Sequence, residues 1–310
     1  MASDDQAKAI ENYEKALSMF RKLGDRTEEA KVLLQLGVAY RDSGDHSQSI
    51  RCFETAVAVC TKLGDRFLLA NALILVATGY SSPPEPTSTT QIALGERAIE
   101  PAQRGLAIAR EIGDRDLKKL GLQTLATVHS QLGLFELDFG DLTQAESHFK
   151  EELVAARELS GLREAFDDRG TESEALWGLG TICLRQSRFQ DAKRHLSDGL
   201  KAARAIKNKR HEAMIVNGLG KVYLASKELT LASDQFSRQL DLARKIRDQK
   251  SEADALWGMA IVCMTRQKPA DAAKHLAEAL RIAREGGDER QQIQIASTIE
   301  SLASALKIKG

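Results

Sequence analysis

The stretch Thr27-Glu28-Glu29-Ala30-Lys31-Val32-Leu33-Leu34-Gln35-Leu36-Gly37-Val38-Ala39-Tyr40 decides the fold. A short turn follows it, then Ser49-Ile50-Arg51-Cys52-Phe53-Glu54-Thr55-Ala56-Val57 and Lys62-Leu63-Gly64-Asp65-Arg66. Leu33, Leu36, Gly37 and Tyr40 have the spacing of one helix face. Gly37 is small enough to let a neighbouring helix come close. Ser49 and Phe53, four residues apart, mark the inward face of a second helix. The stretch therefore predicts a two-helix unit.

Working outward from Gly37, the unit recurs. Equivalent small residues stand at Ala77, Ala126, Gly180, Gly220 and Ala260, at intervals of 40, 49, 54, 40 and 40 residues. Each has an apolar residue four before it (Leu33, Leu73, Leu122, Leu176, Val216, Leu256) and another one before it. The second-helix marker recurs at Ser49, Ala98, Ala145, Ala192, Ala232 and Ala272. Four units keep a 12-residue step from first marker to second. A fixed period of this kind signals a repeat architecture.

The junctions carry their own chemistry. Gly-Asp-Arg stands at 24–26, 64–66 and 113–115, and Gly-Asp-Glu-Arg at 287–290. Glycine suits the left-handed residue that ends one helix, and aspartate caps the next. Because the pair recurs at unit boundaries, it reads as junction chemistry rather than a phosphate or metal loop.

These residues and this spacing resemble tetratricopeptide repeats. The 40-residue step with its Gly-Asp-Arg junction is similar to the Pins/LGN-type branch. The resemblance implies an all-α, right-handed α-α superhelix. It would hold about six helix-turn-helix repeats and a terminal helix at each end. The repeats read as 27–66, 67–115, 116–169, 170–210, 211–250 and 251–290, with a half repeat at 1–26 and a capping helix at 291–310. One solenoid domain over 1–310 is expected. By resemblance, the first helices line a concave groove. That places Lys31, Leu34, Arg41, Gln123, Trp177, Arg185, Met214, Asn217, Lys221, Trp257 and Met264 on a partner-binding surface. Trp177 and Trp257 share one slot, three before the marker, and either groove lining or packing between first helices suits it. The family's carboxylate clamp needs Lys and Asn at set slots. Leu34 and Val38 stand there in the first repeat, so chaperone-tail binding is not expected.

Composition narrows the function. The 310 residues carry 44 Lys+Arg against 44 Asp+Glu, with 5% aromatics, which argues against a nucleic-acid binder. No apolar run reaches membrane-spanning length and no signal peptide is apparent, so a soluble, cytoplasmic chain is expected. No catalytic motif holds, and the six histidines show no metal-ligand spacing. The cysteines are Cys52, Cys60, Cys183 and Cys263, with no Cys-x-x-Cys, and Cys183 and Cys263, in one repeat slot 80 residues apart, read as reduced core thiols. The expected function is a non-enzymatic scaffold or adaptor, without cofactor, that binds a peptide or helix of a partner protein. The alternative is the sensor region of a larger signalling protein: a STAND ATPase, a CHAT-type protease or a peptide-responsive regulator.

Three departures from regularity stand out. Residues 5–22 match a second helix with no first helix before it. Its open flank is a candidate surface for partner contact or self-association, because solenoid ends normally need capping. The stretch Ser81–Thr90 holds three of the five prolines and reads as an extended loop, with Pro101 kinking the helix after it or marking its first turn. In the third repeat, Gln131–Asp141 and 157–168 are each about seven residues longer than usual. Seven residues make two helical turns, so this pair of helices is expected to be longer than its neighbours, with the two extensions forming a projecting hairpin and packing on each other.

Overall fold

The computed structural model describes residues 4–81, 88–162 and 169–307. Among these the secondary structure is helical throughout, in fourteen helices. The chain divides into two compact units, Met1–Ala165 and Phe166–Gly310.

The first unit opens with α1 (Asp4–Leu23), which packs on α2. Three helix pairs follow: α2 (Arg26–Asp42) with α3 (His46–Leu63), α4 (Arg66–Tyr80) with α5 (Ser88–Ile112), and α6 (Arg115–Phe139) with α7 (Leu142–Gly161). Each pair also packs on the next, α3 against α4 and α5 against α6. The second unit repeats the scheme. Its pairs are α8 (Arg169–Arg185) with α9 (Phe189–Ala205), α10 (Lys209–Ala225) with α11 (Leu229–Ile246), and α12 (Gln249–Thr265) with α13 (Pro269–Glu285). A single helix, α14 (Glu289–Lys307), closes on α13. Each unit is thus a stack of helix pairs, the all-α solenoid arrangement that the repeat predicts.

The markers explain why the helices stack closely. A Cβ added at Gly37 would lie 2.4 Å from Phe53 Cε1, so only hydrogen fits there. Phe236 of α11 is held from two sides: a Cβ at Gly220 (α10) would come within 2.6 Å of its ring and one at Gly258 (α12) within 2.5 Å. Phe53 and Phe236 are buried. The junctions also form as read. Gly24, Gly64 and Gly113 have φ of 72°, 75° and 74°, and Asp25, Asp65 and Asp114 accept from the N–H groups of Glu28, Leu68 and Leu117. In the second unit Lys207 and Arg247 take the left-handed position, at φ 56° and 57°, ahead of caps Asn208 and Asp248.

Some expectations change and others hold. Ser88, Thr89 and Thr90 are the first residues of α5, not loop, and Pro101 sits well inside that helix rather than in its first turn. The rest of the proline-rich stretch, 82–87, lies outside the described residues. In the third repeat, Gln131–Phe139 continues α6, whose 25 residues exceed the 15 of α4 and the 17 of α8 as the two added turns predict, and the turn to α7 is a regular Gly140-Asp141 with φ 118° at the glycine. Two marker slots therefore share α6. Ala126 holds the slot counted from the Asp114 cap, and Gly133 holds the slot that meets Phe149, whose ring a Cβ would approach to 3.1 Å. The other extension, 157–168, lies in part (163–168) outside the described residues. The extra two turns of α6 pack on α5: Leu132 is buried, and a Cβ at Gly95 would reach it at 2.9 Å. The reason is direction. The added turns extend the end of α6 next to α7's start, where the antiparallel α5 also begins. Phe135 and Phe139 stack on one another there, with centroids 4.3 Å apart, and Phe139 is exposed. In α14, Ile295 and Leu302 are buried but Ile293 faces solvent.

Candidate functional site

Within the second unit the first helix α10 touches both α8 and α12 directly, whereas no two of α9, α11 and α13 pack together to a similar degree. First helices therefore form the inner layer of this unit. A cleft of about 390 Å³ opens on it. Its walls come from one periodic face: Trp177, Thr181 and Leu184 of α8, then Arg210, Met214, Asn217, Gly218 and Lys221 of α10, then Lys250, Ser251 and Asp254 of α12. On α10, Arg210, Met214, Asn217 and Lys221 stand at −10, −6, −3 and +1 from Gly220, alternating steps of four and three, which is the stripe a helix keeps on one side; α8 and α12 contribute parts of the same stripe.

Floor and rim differ in chemistry. Asn217 is buried, and its Nδ2 donates to Gln239 Oε1 at 3.0 Å; Gln239 Nε2 in turn donates to the Ser251 carbonyl at 3.1 Å. These bonds fix the amides at the base of the cleft. Trp177, Leu184 and Met214 stay half-buried beside them. Arg210, Lys221 and Lys250 are exposed at the rim. Asp254 accepts from Gln291 Nε2 at 2.7 Å. Burial pushes its carboxyl above the usual range, against the pull of Lys221 and of the Gln291 bond.

Of the residues named from the sequence, this cleft brings together Trp177, Met214, Asn217 and Lys221. Trp257 is elsewhere: its Nε1 donates to Thr298 Oγ1 of α14 at 3.0 Å, and with Met264 it packs against the α12–α14 core. Leu34 is a correction. It is 4% exposed and belongs to the core of the first unit. Lys31 is exposed and paired with Glu28, Arg41 lies beside Asp42, and Gln123 and Arg185 are exposed on their helices. Arg210, Asp248, Lys250 and Ser251 also line the cleft and escaped the sequence reading. Arg210 and Lys250 stand ten residues before Gly220 and Ala260, one turn beyond the slots considered.

In the first unit, His129 Nδ1 and His148 Nδ1 lie 3.1 Å apart, joining α6 to α7. Burial and the neighbouring ring hold His129 down to about 4; burial also lowers His148, against the charges of Glu96 and Glu151. Among the described residues no group of three or more His, Cys, Asp or Glu is placed to hold a metal ion. Cys52, Cys60, Cys183 and Cys263 are free, and burial pushes the Cys52 and Cys60 thiols up to about 11. No described helix is long and apolar enough to cross a membrane.

A tetratricopeptide repeat family model matches residues 2–62 and 211–285, less than half of the chain. No curated protein matches it. Among solved structures, the chain is similar to a Signal Transduction ATPase with Numerous Domains (STAND) protein with a tetratricopeptide repeat sensor from Pyrococcus horikoshii. The identity is 15% and the TM-score 0.54, over 95% of this chain and 44% of that one. The chain thus spans less than half the length of that protein. It is also similar to aspartyl phosphate phosphatase F from Bacillus subtilis, with 14% identity and a TM-score of 0.49, over 93% and 74% of the two chains. A third likeness is to PilW, a type IV pilus biogenesis factor, with 14% identity and a TM-score of 0.49, over 86% and 98%. At these identities the likeness concerns the fold alone.

Proposed function

We propose that this chain is a tetratricopeptide repeat scaffold that binds a peptide segment of a partner protein in the cleft between α8, α10 and α12. One observation carries the reading: a cleft of about 390 Å³ on the inner helix layer, with half-buried Trp177 and Met214 beside hydrogen-bonded Asn217. Half-buried aromatic and thioether surface next to fixed amides is suited to gripping both side chains and backbone of a peptide. The 40-residue steps and Gly-Asp-Arg junctions support the Pins/LGN-type branch within that proposal. Crosslinking in native extract tests the site. A partner segment captured by the wild type should be lost in Trp177→Ala and Met214→Glu and kept in Lys31→Glu. Equal capture by all four proteins would dismiss the cleft.

A second reading keeps the cleft and makes the chain the sensor region of a larger signalling protein. The fold likeness to a STAND protein with a repeat sensor, over 44% of its length, favours it. Immunoblotting of native cells checks it. A band well above the 34.0 kDa of this chain is expected, and a band at that mass would reject the idea.

A further inference from the structure

We infer that the cleft takes an acidic peptide segment, one whose Asp or Glu side chains meet Arg210 and Lys221 while a neighbouring large apolar side chain enters against Trp177 and Met214. The inference rests on the cleft being the binding surface, as proposed above, and adds the chemistry of the occupant.

The charges at the rim decide it. Five charged side chains border the cleft: Arg210, Lys221, Lys250, Asp248 and Asp254. Three of them are already engaged. Asp248 caps α12, accepting from Ser251 N at 3.1 Å and Ser251 Oγ at 2.9 Å. Asp254 accepts from Gln291 at 2.7 Å. Lys250 pairs with Asp288 at 3.3 Å. Arg210 and Lys221 are both exposed, and the charge of Lys221 acts on Asp254 without a direct ion pair between them. Three cationic side chains thus border the cleft against two anionic ones, a positive balance in a chain that is neutral as a whole.

A carboxylate entering between α10 and α12 would gain charge-assisted hydrogen bonds, about twice as strong as neutral ones. Beside an apolar wall such bonds are screened less than in open water. A basic segment would meet this cationic excess, with Asp248 already bonded to Ser251 and Asp254 already facing Gln291 and Lys221. The apolar wall fixes the second half of the specificity: Trp177 and Met214 offer half-buried surface to one large side chain, and Trp and Arg are the residue types that dominate binding energy at such sites.

The probe is a displayed library of random peptides of about twelve residues, long enough to cross two repeats, selected on the purified chain. Recovered peptides are then measured by fluorescence anisotropy. Three proteins are compared: wild type, Met214→Glu, and the double variant Arg210→Glu/Lys221→Glu, whose exposed positions leave the fold intact by circular dichroism. Recovered sequences should be enriched in Asp and Glu beside Leu, Phe or Trp. Their affinity should fall about tenfold or more in the charge-reversed protein, and peptides with Glu replaced by Lys should regain binding to it. Peptides without acidic enrichment, bound equally by the charge-reversed protein but not by Met214→Glu, would overturn the acidic occupant and leave the cleft in place. Peptides indifferent to Met214→Glu would remove the cleft itself. Equal competition by a short single-stranded oligonucleotide would replace the peptide by a nucleic acid and overturn the inference.

Discussion

Arg204 Nε donates to Glu212 Oε1 at 3.0 Å across the turn from α9 to α10. The same eight-residue spacing joins Arg21 to Glu29 at 2.9 Å and Arg244 to Glu252 at 2.8 Å. Each glutamate stands eight before its marker, so the pair ties the end of one second helix to the start of the next first helix. In the third repeat both slots are cationic, Arg110 and Lys118, and Glu158 of α7 pairs with each, at 2.5 and 3.1 Å.

Glu212 should be the most sensitive of these. It is nearly buried and accepts from Arg204, Lys209 and Arg238. Burial works to raise its carboxyl, but the hydrogen bonds and charges of Lys209 and Arg204 outweigh that and hold it below the usual 4.5. Glu212→Gln should cost about 2–3 kcal/mol in urea unfolding at neutral pH. A lowered carboxyl contributes stability above its unfolded value and loses it as pH falls through the folded one. The wild-type and variant curves should therefore converge only in acid, as pH falls through the lowered value of the folded carboxyl. A penalty that stays constant into acid would point to packing instead.

The His129–His148 pair predicts a separate, milder acid sensitivity. Both imidazoles titrate below the usual 6.5 in the fold, His129 near 4. The unfolded chain therefore binds protons first, and stability falls as pH drops from about 6.5 towards 4. For His129 alone the loss between pH 7.5 and pH 5 should be about 2 kcal/mol. His129→Leu should flatten that slope in denaturant melts, while Glu212→Gln should not. A slope unchanged by His129→Leu would refute the assignment.

Phe236 offers a packing test. Gly220→Ala and Gly258→Ala each push a methyl into its buried ring. The overpacking cost of about 1–3 kcal/mol exceeds the helix propensity that alanine gains, about 1 kcal/mol. Both variants should melt lower than wild type. Gly161→Ala, with nothing within 4 Å of the added carbon, should not.

The two tryptophans should separate stability from binding. Trp257→Ala loses the bond to Thr298 and its packing against α14, and should cost about 2–4 kcal/mol. Trp177→Ala should cost only about 1–2 kcal/mol and abolish partner capture. Equal melting losses in the two variants would contradict the difference in their surroundings.

Period and junctions were readable because each rests on local chemistry: small residues facing rings, glycine and aspartate at turns. Position in the stack was not. Trp177 and Trp257 have the same neighbours in sequence, but α14 covers only the second. Leu34 occupies a lining slot by resemblance, yet lies in the core. Gly133 was within reach: it keeps the 12-residue step to Ala145 and the 16-residue step to Phe149, which Ala126 does not. The apolar residues four and one before Ala126, Leu122 and Leu125, drew the marker there instead. Arg210 and Lys250 needed the tertiary structure, since only the cleft shows the stripe running one turn further.

The two marker slots of α6 have a consequence for how such chains change length. Seven residues turn a helix through about 700°, within about 20° of two full circles. An insertion of that size therefore lengthens the rod while leaving its adhesive side where it was. Growth by any other small number would swing Gly133 away from Phe149. Heptads are thus the natural unit of currency for insertion and deletion here, and an engineer lengthening another first helix should add residues in sevens.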